Sequence, residues 1–201
     1  MASLALVLPM LGGLDAVRYK AALAPFQDCL QGVIAGPKWS PYFSGLHKGI
    51  PFSAHYLVVR ERERHGEWKS IVETRLKFAV PTAHRLRILN RSAVITPLSY
   101  RLTLLGTVES GAGELDGASK IYAADPGAAR ALCADRGFVG LVRGIFGIPY
   151  DRVDITPGGV EIRERHYVPD GEAVYSRENI LKAADGAGAL AAMLRAPVPA
   201  E

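Results

Sequence analysis

Charged and hydrophobic residues alternate along two neighbouring segments in the first half of the chain. Segments 52–64 and 68–80 are rich in β-branched and aromatic residues, and only the short turn His65-Gly66 separates them. This pattern predicts a long antiparallel hairpin. If the turn is centred on these two residues, Val59 pairs with Val72 and Glu63 pairs with Trp68.

This register would divide the hairpin into a core face and a charged face, because successive side chains of a strand point to opposite sides. The predicted core face carries Leu57, Val59, Trp68, Val72, Thr74, Leu76 and Phe78. The predicted charged face carries Arg60, Arg62, Arg64, Lys69, Arg75 and Lys77, together with Glu67 and Glu73. Two further strands are predicted at 84–89, with Arg85 and Arg87 facing outward, and at 100–105.

Helical spacing of apolar residues predicts a helix over 14–35, split by Pro25. Segment 36–51 has three prolines, three glycines and the aromatics Trp39, Tyr42 and Phe43, which predicts an ordered loop held to the core by its rings. Segment 108–118 is a glycine-rich linker in this interpretation.

The second half predicts a strand at 120–123 followed by helices that begin at acidic caps. Asp125, with proline next to it, and Asp135 can each accept hydrogen bonds from the open N–H groups of a first helical turn. A hairpin is expected around residues 156–159, with Gly158 at positive φ. Ser176 is expected to cap a last helix that ends near residue 194. Glycine pairs inside two helices predict close packing, at Gly140 and Gly144 and again at Gly186 and Gly188.

The predicted fold class is therefore α+β, an antiparallel sheet of long hairpins packed against a few helices, with helices at both ends. With 201 residues, of which 49% are hydrophobic, the chain suits one domain. The expected organisation is an apolar N-terminal arm over 1–13 and a single domain over 14–196. That domain comprises helix and aromatic loop (14–51), basic hairpin region (52–107), linker (108–118) and a strand-helix-hairpin-helix unit (119–196).

The second half also resembles a group of bacterial domains of unknown function. The segment "ELDGASKIYAADPGAARALCADRGFVGLVRGIFG" and the hairpin "DRVDITPGGVEIRE" carry this resemblance. In the group, an aromatic-acidic pair precedes a strand of the F-x-V type, an Asp-led helix and a β-hairpin. Here Leu115 and Asp116 take the place of the pair, Ile121 that of the valine, and Ser119 stands where the group has an aromatic residue. The resemblance implies an α+β fold and a bacterial origin, and it implies no activity.

Positive charge is concentrated in the predicted hairpin region. Residues 60–101 contain ten Lys or Arg and four Glu, a net charge of +6, whereas the whole chain carries +4. Such a face can meet phosphates of nucleic acid or of lipid headgroups. The interleaved glutamates favour the other interpretation, in which this face is the solvated outer side of a sheet, protected by charge against edge-to-edge aggregation.

The sequence offers no motif for catalysis, a cofactor or a metal. Its five histidines form no pair with metal-ligand spacing, and its two cysteines, Cys29 and Cys133, are far apart. We therefore assign no catalytic, cofactor-binding or metal-binding residue and lean against an enzyme. The expected location is the cytoplasm, with peripheral attachment to a membrane-associated assembly as an alternative. No transmembrane span is expected, since the apolar stretch at the N-terminus is too short.

Three functional hypotheses remain at this stage. The first is a non-catalytic accessory or structural subunit that binds a protein partner through its N-terminal arm, its aromatic loop or its helices, with candidate docking residues Leu4, Leu6, Leu8, Leu11, Trp39, Tyr42 and Phe43. The second is polyanion binding, of nucleic acid or an anionic membrane surface, by Arg60, Arg62, Arg64, Lys69, Arg75, Lys77, Arg85 and Arg87. The third is an enzyme or small-ligand binder with a site near 37–49, lined by Trp39, Tyr42 and His47.

Overall fold

A computed structural model describes residues 14–37, 40–62, 68–91, 105–167 and 176–196. Side chains are described for these residues except 14–19, 58–62, 68–71 and 166–167. The predicted strand at 100–105 and the N-terminal arm fall almost wholly outside these ranges.

The described strands form one nine-stranded sheet in the order β1-β2-β3-β4-β9-β8-β5-β7-β6, and every neighbouring pair is antiparallel. The strands are β1 Gly32–Ala35, β2 Tyr42–His47, β3 Ile50–Arg62, β4 Trp68–Phe78, β5 Leu86–Asn90, β6 Gly106–Val108, β7 Ser119–Ala123, β8 Arg152–Thr156 and β9 Gly159–Tyr167. The hairpin β8-β9 thus lies in the middle of the sheet, between β4 and β5.

Five helices occur among the described residues: α1 Leu14–Cys29, α2 Gly113–Ala118, α3 Pro126–Ala134, α4 Arg136–Phe146 and α5 Arg177–Met193. The predicted α+β class, with helices flanking an antiparallel sheet, is confirmed. No described helix is both long and apolar enough to cross a bilayer.

The helices pack on one face of the sheet and enclose a single apolar core. From the strands it receives Phe43, Phe52, Leu76, Phe78, Ile88, Ile121, Val153, Ile155 and Ile162, and from the helices Leu23, Phe26, Leu115, Phe138, Val142, Ile145, Ala187 and Leu190. Phe26, Phe43, Phe52 and Phe78 are in contact in that order, with ring centroids 5.5–6.3 Å apart. The other face carries no helix in the part of the chain that the structure describes.

The predicted hairpin of β3 and β4 is present, but its register is shifted by one residue. Val58, not Val59, lies opposite Val72, and Arg62, not Glu63, lies opposite Trp68. A shift of one residue exchanges the two faces of a strand. The β3 residues in the core are consequently Phe52, Ala54 and Tyr56, so the prediction for Leu57 is wrong. The prediction for β4 holds for Val72, Thr74, Leu76 and Phe78, which are all buried, and the side chain of Trp68 lies outside the described residues.

Several local predictions about the helices are confirmed. Asp125 accepts hydrogen bonds from Gly127 N at 2.8 Å and Ala128 N at 3.0 Å, at the start of α3. Asp135 accepts from Gly137 N at 2.7 Å and Phe138 N at 3.2 Å, at the start of α4. Ser176 Oγ accepts from Asn179 N at 3.1 Å and caps α5. These caps satisfy N–H groups that have no partner inside the helix.

Other local predictions differ from the structure. Helix α1 continues through Pro25 and ends at Cys29. Residues 32–35, which were predicted to be helical, form strand β1. The predicted loop over 36–51 contains β2, which pairs with β3 around the turn Lys48-Gly49. Buried rings such as Phe43 make this segment a strand, because a strand can place alternate residues in the core.

Three glycine or linker predictions also need correction. Gly159, rather than Gly158, has positive φ in the β8-β9 turn, and a Cβ there would lie 2.0 Å from Phe78 O. A Cβ at Gly140 or Gly144 would meet nothing within 4 Å, so the close packing predicted for these glycines is wrong. The predicted linker contains α2, because Leu115 is buried and Asp116 accepts hydrogen bonds from Ser110 and Gly111.

Candidate anion-binding face

The sheet face opposite the helices carries the charged residues, and we call it the open face. Strand alternation fixes its membership: in β4 it takes Glu73, Arg75 and Lys77, between the core residues Val72, Thr74, Leu76 and Phe78. Neighbouring strands extend this face by their register. From β9, β8 and β5 it receives Glu161, Arg163, Arg165, Arg152, Asp154 and Arg87.

Three arginines on adjacent strands lie directly opposite one another, and we call them the arginine row. Arg75 on β4 pairs with Arg163 on β9, which pairs with Arg152 on β8. Neighbouring strands are about 4.8 Å apart, so the row spans about 10 Å. Like charges directly opposite each other destabilise a sheet. The row therefore requires negative charge close by.

Glu73 supplies part of this charge at one side of the row. Its side chain is fully buried, and its carboxylate accepts hydrogen bonds from Arg75 Nε and Arg165 Nε. Arg163 Nη1 approaches the same carboxylate at 3.4 Å. Burial alone would raise the pKa of Glu73, but Arg75 and Arg165 lower it below its ordinary value. Glu73 is consequently ionised at neutral pH.

Asp154 and Glu161 supply negative charge on the other side of the row. Asp154 accepts from Arg87 Nε at 2.5 Å and from Arg152 Nε at 2.6 Å, and Arg163 Nε lies 3.7 Å from it. Glu161 accepts from Arg163 Nε. Arg163 thus connects both groups of carboxylates. Bonds to buried carboxylates restrict the guanidinium groups to defined positions.

Positive charge remains in excess on this face. Among the described residues, five guanidinium groups contact three carboxylates in this network, and Asp151, ionised above its pKa of about 6, adds a fourth negative charge beside Arg152 and Arg165. One positive charge is therefore left at pH 7, and Lys77, whose side chain is exposed, adds a second. The five arginine side chains are 11–33% exposed, so they lie low in the face without being sealed from solvent.

Burial and the neighbouring cations both lower the pKa of His55, and burial has the larger effect. His55 lies opposite Arg75 in β3. Burial lowers the pKa of His55, and Arg75 and Lys77 lower it further, against the opposite effect of Glu161. The imidazole is therefore neutral at pH 7. Its Nε2 lies 3.2 Å from Ser53 Oγ.

One carboxyl group near the row changes charge close to neutral pH. Burial raises the pKa of Asp151 to about 6, although Arg165 and Arg152 act in the opposite direction. Asp151 directly precedes β8, and its backbone N–H donates to Arg163 O at 2.9 Å. When Asp151 is protonated, the net positive charge beside the row increases by one.

An aromatic contact adjoins the row on the side of β3. Tyr42 on β2 lies opposite His55, and the two rings are stacked with centroids 5.2 Å apart and planes inclined by 23°. Tyr42, His55, Arg75, Arg163 and Arg152 thus follow one another across five adjacent strands.

Four of the eight cations predicted to bind polyanions have described side chains, and three of these lie on the open face. Arg75, Lys77 and Arg87 lie on the open face, and Arg85 is exposed just before β5. Positions 60 and 62 pair with 70 and 68, in the same alternation as Phe52 and Tyr56 rather than His55. The side chains of Arg60, Arg62 and Lys69, and the whole of Arg64, lie outside the described residues.

The predicted docking residues are divided in the same way. Leu4, Leu6, Leu8, Leu11 and Trp39 lie outside the described residues. Phe43 is fully buried among the core phenylalanines, so its ring is not exposed to a partner. Tyr42 is half-buried beside His55 on the open face.

A ligand site lined by Tyr42 and His47 does not form, because the two residues point to opposite faces of β2. His47 lies on the helix side, where its Nε2 contacts Asp185 Oδ1 of α5 at 2.9 Å and its ring touches Phe52 and Phe78. A groove of about 600 Å³ lies elsewhere, between residues 110–114 and helices α3 and α4, lined by Ser110, Glu114, Cys133, Arg136 and Arg143.

Metal-ligating side chains do not cluster among the described residues, and the two cysteines are not paired. No group of three or more His, Cys, Asp or Glu side chains there could hold a metal ion. Cys29 and Cys133 are both free thiols, and burial raises the pKa of Cys133.

Sequence reasoning missed the central part of this face. Arg152, Arg163, Arg165, Asp154 and Glu161 all come from the hairpin β8-β9, whose place beside β4 the local pattern does not reveal. The alternation in "RVDITPGGVEIRER", with charged residues two apart on either side of the turn, is the pattern that could have placed them on one face.

Comparisons with known proteins identify no family for this chain. No protein-family model matches it, and no curated protein sequence matches it. Among solved structures, it is similar to the crystal structure of the mycobacterial trehalose monomycolate transport factor A, TtfA, with 15% sequence identity and a TM-score of 0.48. That alignment covers 94% of this chain and 99% of the other. A similarity this distant transfers no function.

Proposed function

We propose that this protein is a non-catalytic interaction module that binds a polyanion through the open face of its sheet. The observation that carries this proposal is the arginine row, in which Arg75, Arg163 and Arg152 lie directly opposite one another on three adjacent strands. Their own carboxylates hold them in place and leave positive charge in excess.

The arrangement suits binding better than it suits solubility. Scattered lysines and glutamates would keep a sheet face soluble at little cost, since surface ion pairs contribute only about 0–1 kcal/mol each. Here a fully buried glutamate and like charges on facing strands are both retained, each of which disfavours folding by itself. A polyanion on the row would compensate the excess charge that the internal carboxylates leave.

Fixed guanidinium groups also favour affinity. Arg75, Arg87, Arg152, Arg163 and Arg165 each donate through Nε to a carboxylate. A side chain that is already ordered loses less conformational entropy when a ligand binds. A guanidinium has five N–H donors in a planar arrangement and suits phosphate well.

A role as an accessory subunit of a larger bacterial assembly fits this proposal. A binding module without its own chemistry acts by holding one component near another. The bacterial origin in this proposal is what the resemblance of the second half to bacterial domains of unknown function implies.

The test is the salt dependence of binding to fluorescently labelled inorganic polyphosphate, measured by anisotropy. The double variant Arg75→Ala/Arg87→Ala removes two of the more exposed guanidinium groups of the face. Arg130→Ala/Arg136→Ala is the matched control, since both residues are exposed on the helical side.

We expect the wild-type protein and the control to bind alike, with affinity falling as salt rises. The open-face variant should bind at least ten-fold more weakly, with a shallower salt slope. Equal loss in both double variants would show that net charge alone attracts the polyanion and would overturn the proposal.

A further inference from the structure

We propose that the polyanion is a single-stranded nucleic acid, whose backbone lies along the arginine row and one of whose bases stacks on the Tyr42–His55 pair. This inference rests on the proposed function and makes it specific. The arginine row and the stacked rings of Tyr42 and His55 lie on the same face of the sheet, at register positions that follow one another across adjacent strands.

The first argument is the shape of the cationic surface. Arg75, Arg163 and Arg152 form a line at right angles to the strands, and the open-face positions continue in register from Tyr42 on β2 to Arg152 on β8. At a strand spacing of about 4.8 Å this line is about 19 Å long. A single strand of nucleic acid presents its phosphates in a line, and several could lie along this length.

The second argument is the aromatic pair at the end of the line. Proteins that bind single strands without sequence preference combine a positive groove with rings on which bases stack. Tyr42 and His55 are already parallel to within 23°, and both side chains are partly exposed. His55 contributes a neutral ring, because its surroundings disfavour protonation.

The low position of the arginines distinguishes this ligand from a membrane or a duplex. Their side chains are only 11–33% exposed, so a partner must follow the face closely to reach several of them. A flexible strand can do so. A flat bilayer or a stiff duplex would first meet protruding groups such as Lys77, which is exposed.

A lipid surface is the main alternative outcome. Val33 on β1 and Leu46 on β2 are 64% and 57% exposed, and both belong to the open face by their register with Ser44 and Pro51. A membrane would bury these two side chains, whereas a nucleic acid on the row would leave them in water.

The experiment measures by fluorescence anisotropy how the 201-residue protein binds three labelled probes. They are an oligothymidylate of about 12 nucleotides, within the usual site sizes, an abasic oligonucleotide of the same length and charge, and inorganic polyphosphate. Sedimentation with phosphatidylglycerol vesicles tests the lipid alternative. The abasic probe isolates the contribution of the bases without any change to the protein.

We expect oligothymidylate to bind about five-fold or more tightly than the abasic probe, as one stacked base would give. Tyr42→Leu should remove this preference, whereas Tyr42→Phe should retain it. Equal binding of oligothymidylate and the abasic probe would overturn the inference, and so would vesicle binding that Leu46→Ser abolishes while oligothymidylate stays unbound.

The two proposals fail in different ways. If polyphosphate binds through Arg75 and Arg87 but bases contribute nothing, the face binds polyanions and only the nucleic-acid assignment is wrong. If neither polyphosphate nor oligothymidylate binds, both proposals are wrong.

Discussion

Arg75 and Arg163 lie directly opposite each other on β4 and β9, and both guanidinium groups approach the same carboxylate oxygen, Oε1 of Glu73. Two like charges in facing positions are thus held together by one buried negative charge. Each arginine is fixed in position without being neutralised individually. This relationship gives the open face both its order and its excess of positive charge.

Glu73→Gln should destabilise the protein by roughly 3 kcal/mol at pH 7, because it removes the negative charge among three guanidinium groups. The pKa of Glu73 in the folded protein lies below its ordinary value of 4.5. Its stabilising contribution is therefore present above pH 4.5 and is lost as pH falls through the folded-state pKa. Urea unfolding at several pH values measures both effects.

Glu109→Gln is the control for this prediction, since Glu109 is exposed outside the network. It should change the free energy of unfolding by less than about 0.5 kcal/mol. Equal stability of Glu73→Gln and wild type at pH 7 would contradict the role given to Glu73.

Asp151→Asn should have the opposite effect at neutral pH. Burial raises the pKa of Asp151 from 3.8 to about 6, so the folded state favours the protonated carboxyl. Its contribution to stability therefore increases as pH falls from above 6 towards 4. Asparagine resembles the protonated form, and the variant should be more stable than wild type by up to about 3 kcal/mol above pH 7.

The difference between Asp151→Asn and wild type should disappear below about pH 3, roughly one unit under the ordinary pKa of 3.8, where the aspartate is protonated in both the folded and unfolded states. Thermal unfolding across this pH range checks it, with the exposed Asp28→Asn as control. A gain in stability that does not depend on pH would show that another interaction is responsible.

The acidic caps of α3 and α4 should each contribute about 1 kcal/mol. Asp135→Ala leaves the backbone N–H groups of Gly137 and Phe138 without their acceptor. Asp135→Asn keeps an acceptor oxygen and should lose much less stability. Calorimetry measures the melting temperatures of the two variants and of the corresponding pair at Asp125. Equal melting temperatures for the alanine and asparagine variants would contradict the capping role of these aspartates.

Helical glycines should respond to substitution according to their surroundings. Gly140→Ala adds a methyl group where nothing lies within 4 Å, so it should stabilise α4 by up to about 1 kcal/mol. A Cβ at Gly188 would lie 3.3 Å from Phe78 and 3.4 Å from His47. Gly188→Val should therefore cost about 1–3 kcal/mol. The denaturant midpoints of both variants, compared with that of wild type, test this prediction. A midpoint for Gly188→Val equal to that of wild type would contradict it.

Local features of the fold could be predicted from the sequence because they depend on neighbouring residues. The caps at Asp125, Asp135 and Ser176 are examples, since each capping oxygen and the backbone N–H groups that donate to it lie within three residues. The alternation in β4 likewise placed Val72 and Phe78 in the core. These features follow from backbone hydrogen bonding and strand geometry alone.

Features that depend on distant parts of the chain could not be predicted in this way. The register of β3 with β4 is set by the burial of Phe52 and Tyr56, and an assumed turn centre gave a shift of one residue. The arginine row requires β9 to lie beside β4, although Arg163 and Arg75 are far apart in sequence. Only the tertiary structure brings them together.

The most direct test of the central claim is the salt dependence of polyanion binding by wild type and Arg163→Lys. Lysine keeps the charge at the centre of the row but cannot make the planar contacts of arginine. We predict that Arg163→Lys, folded as judged by circular dichroism, keeps the salt slope of wild type but binds polyphosphate several-fold more weakly at every salt concentration. Unchanged affinity would mean that charge alone attracts polyanions to this protein, and would contradict a binding site built from fixed arginines.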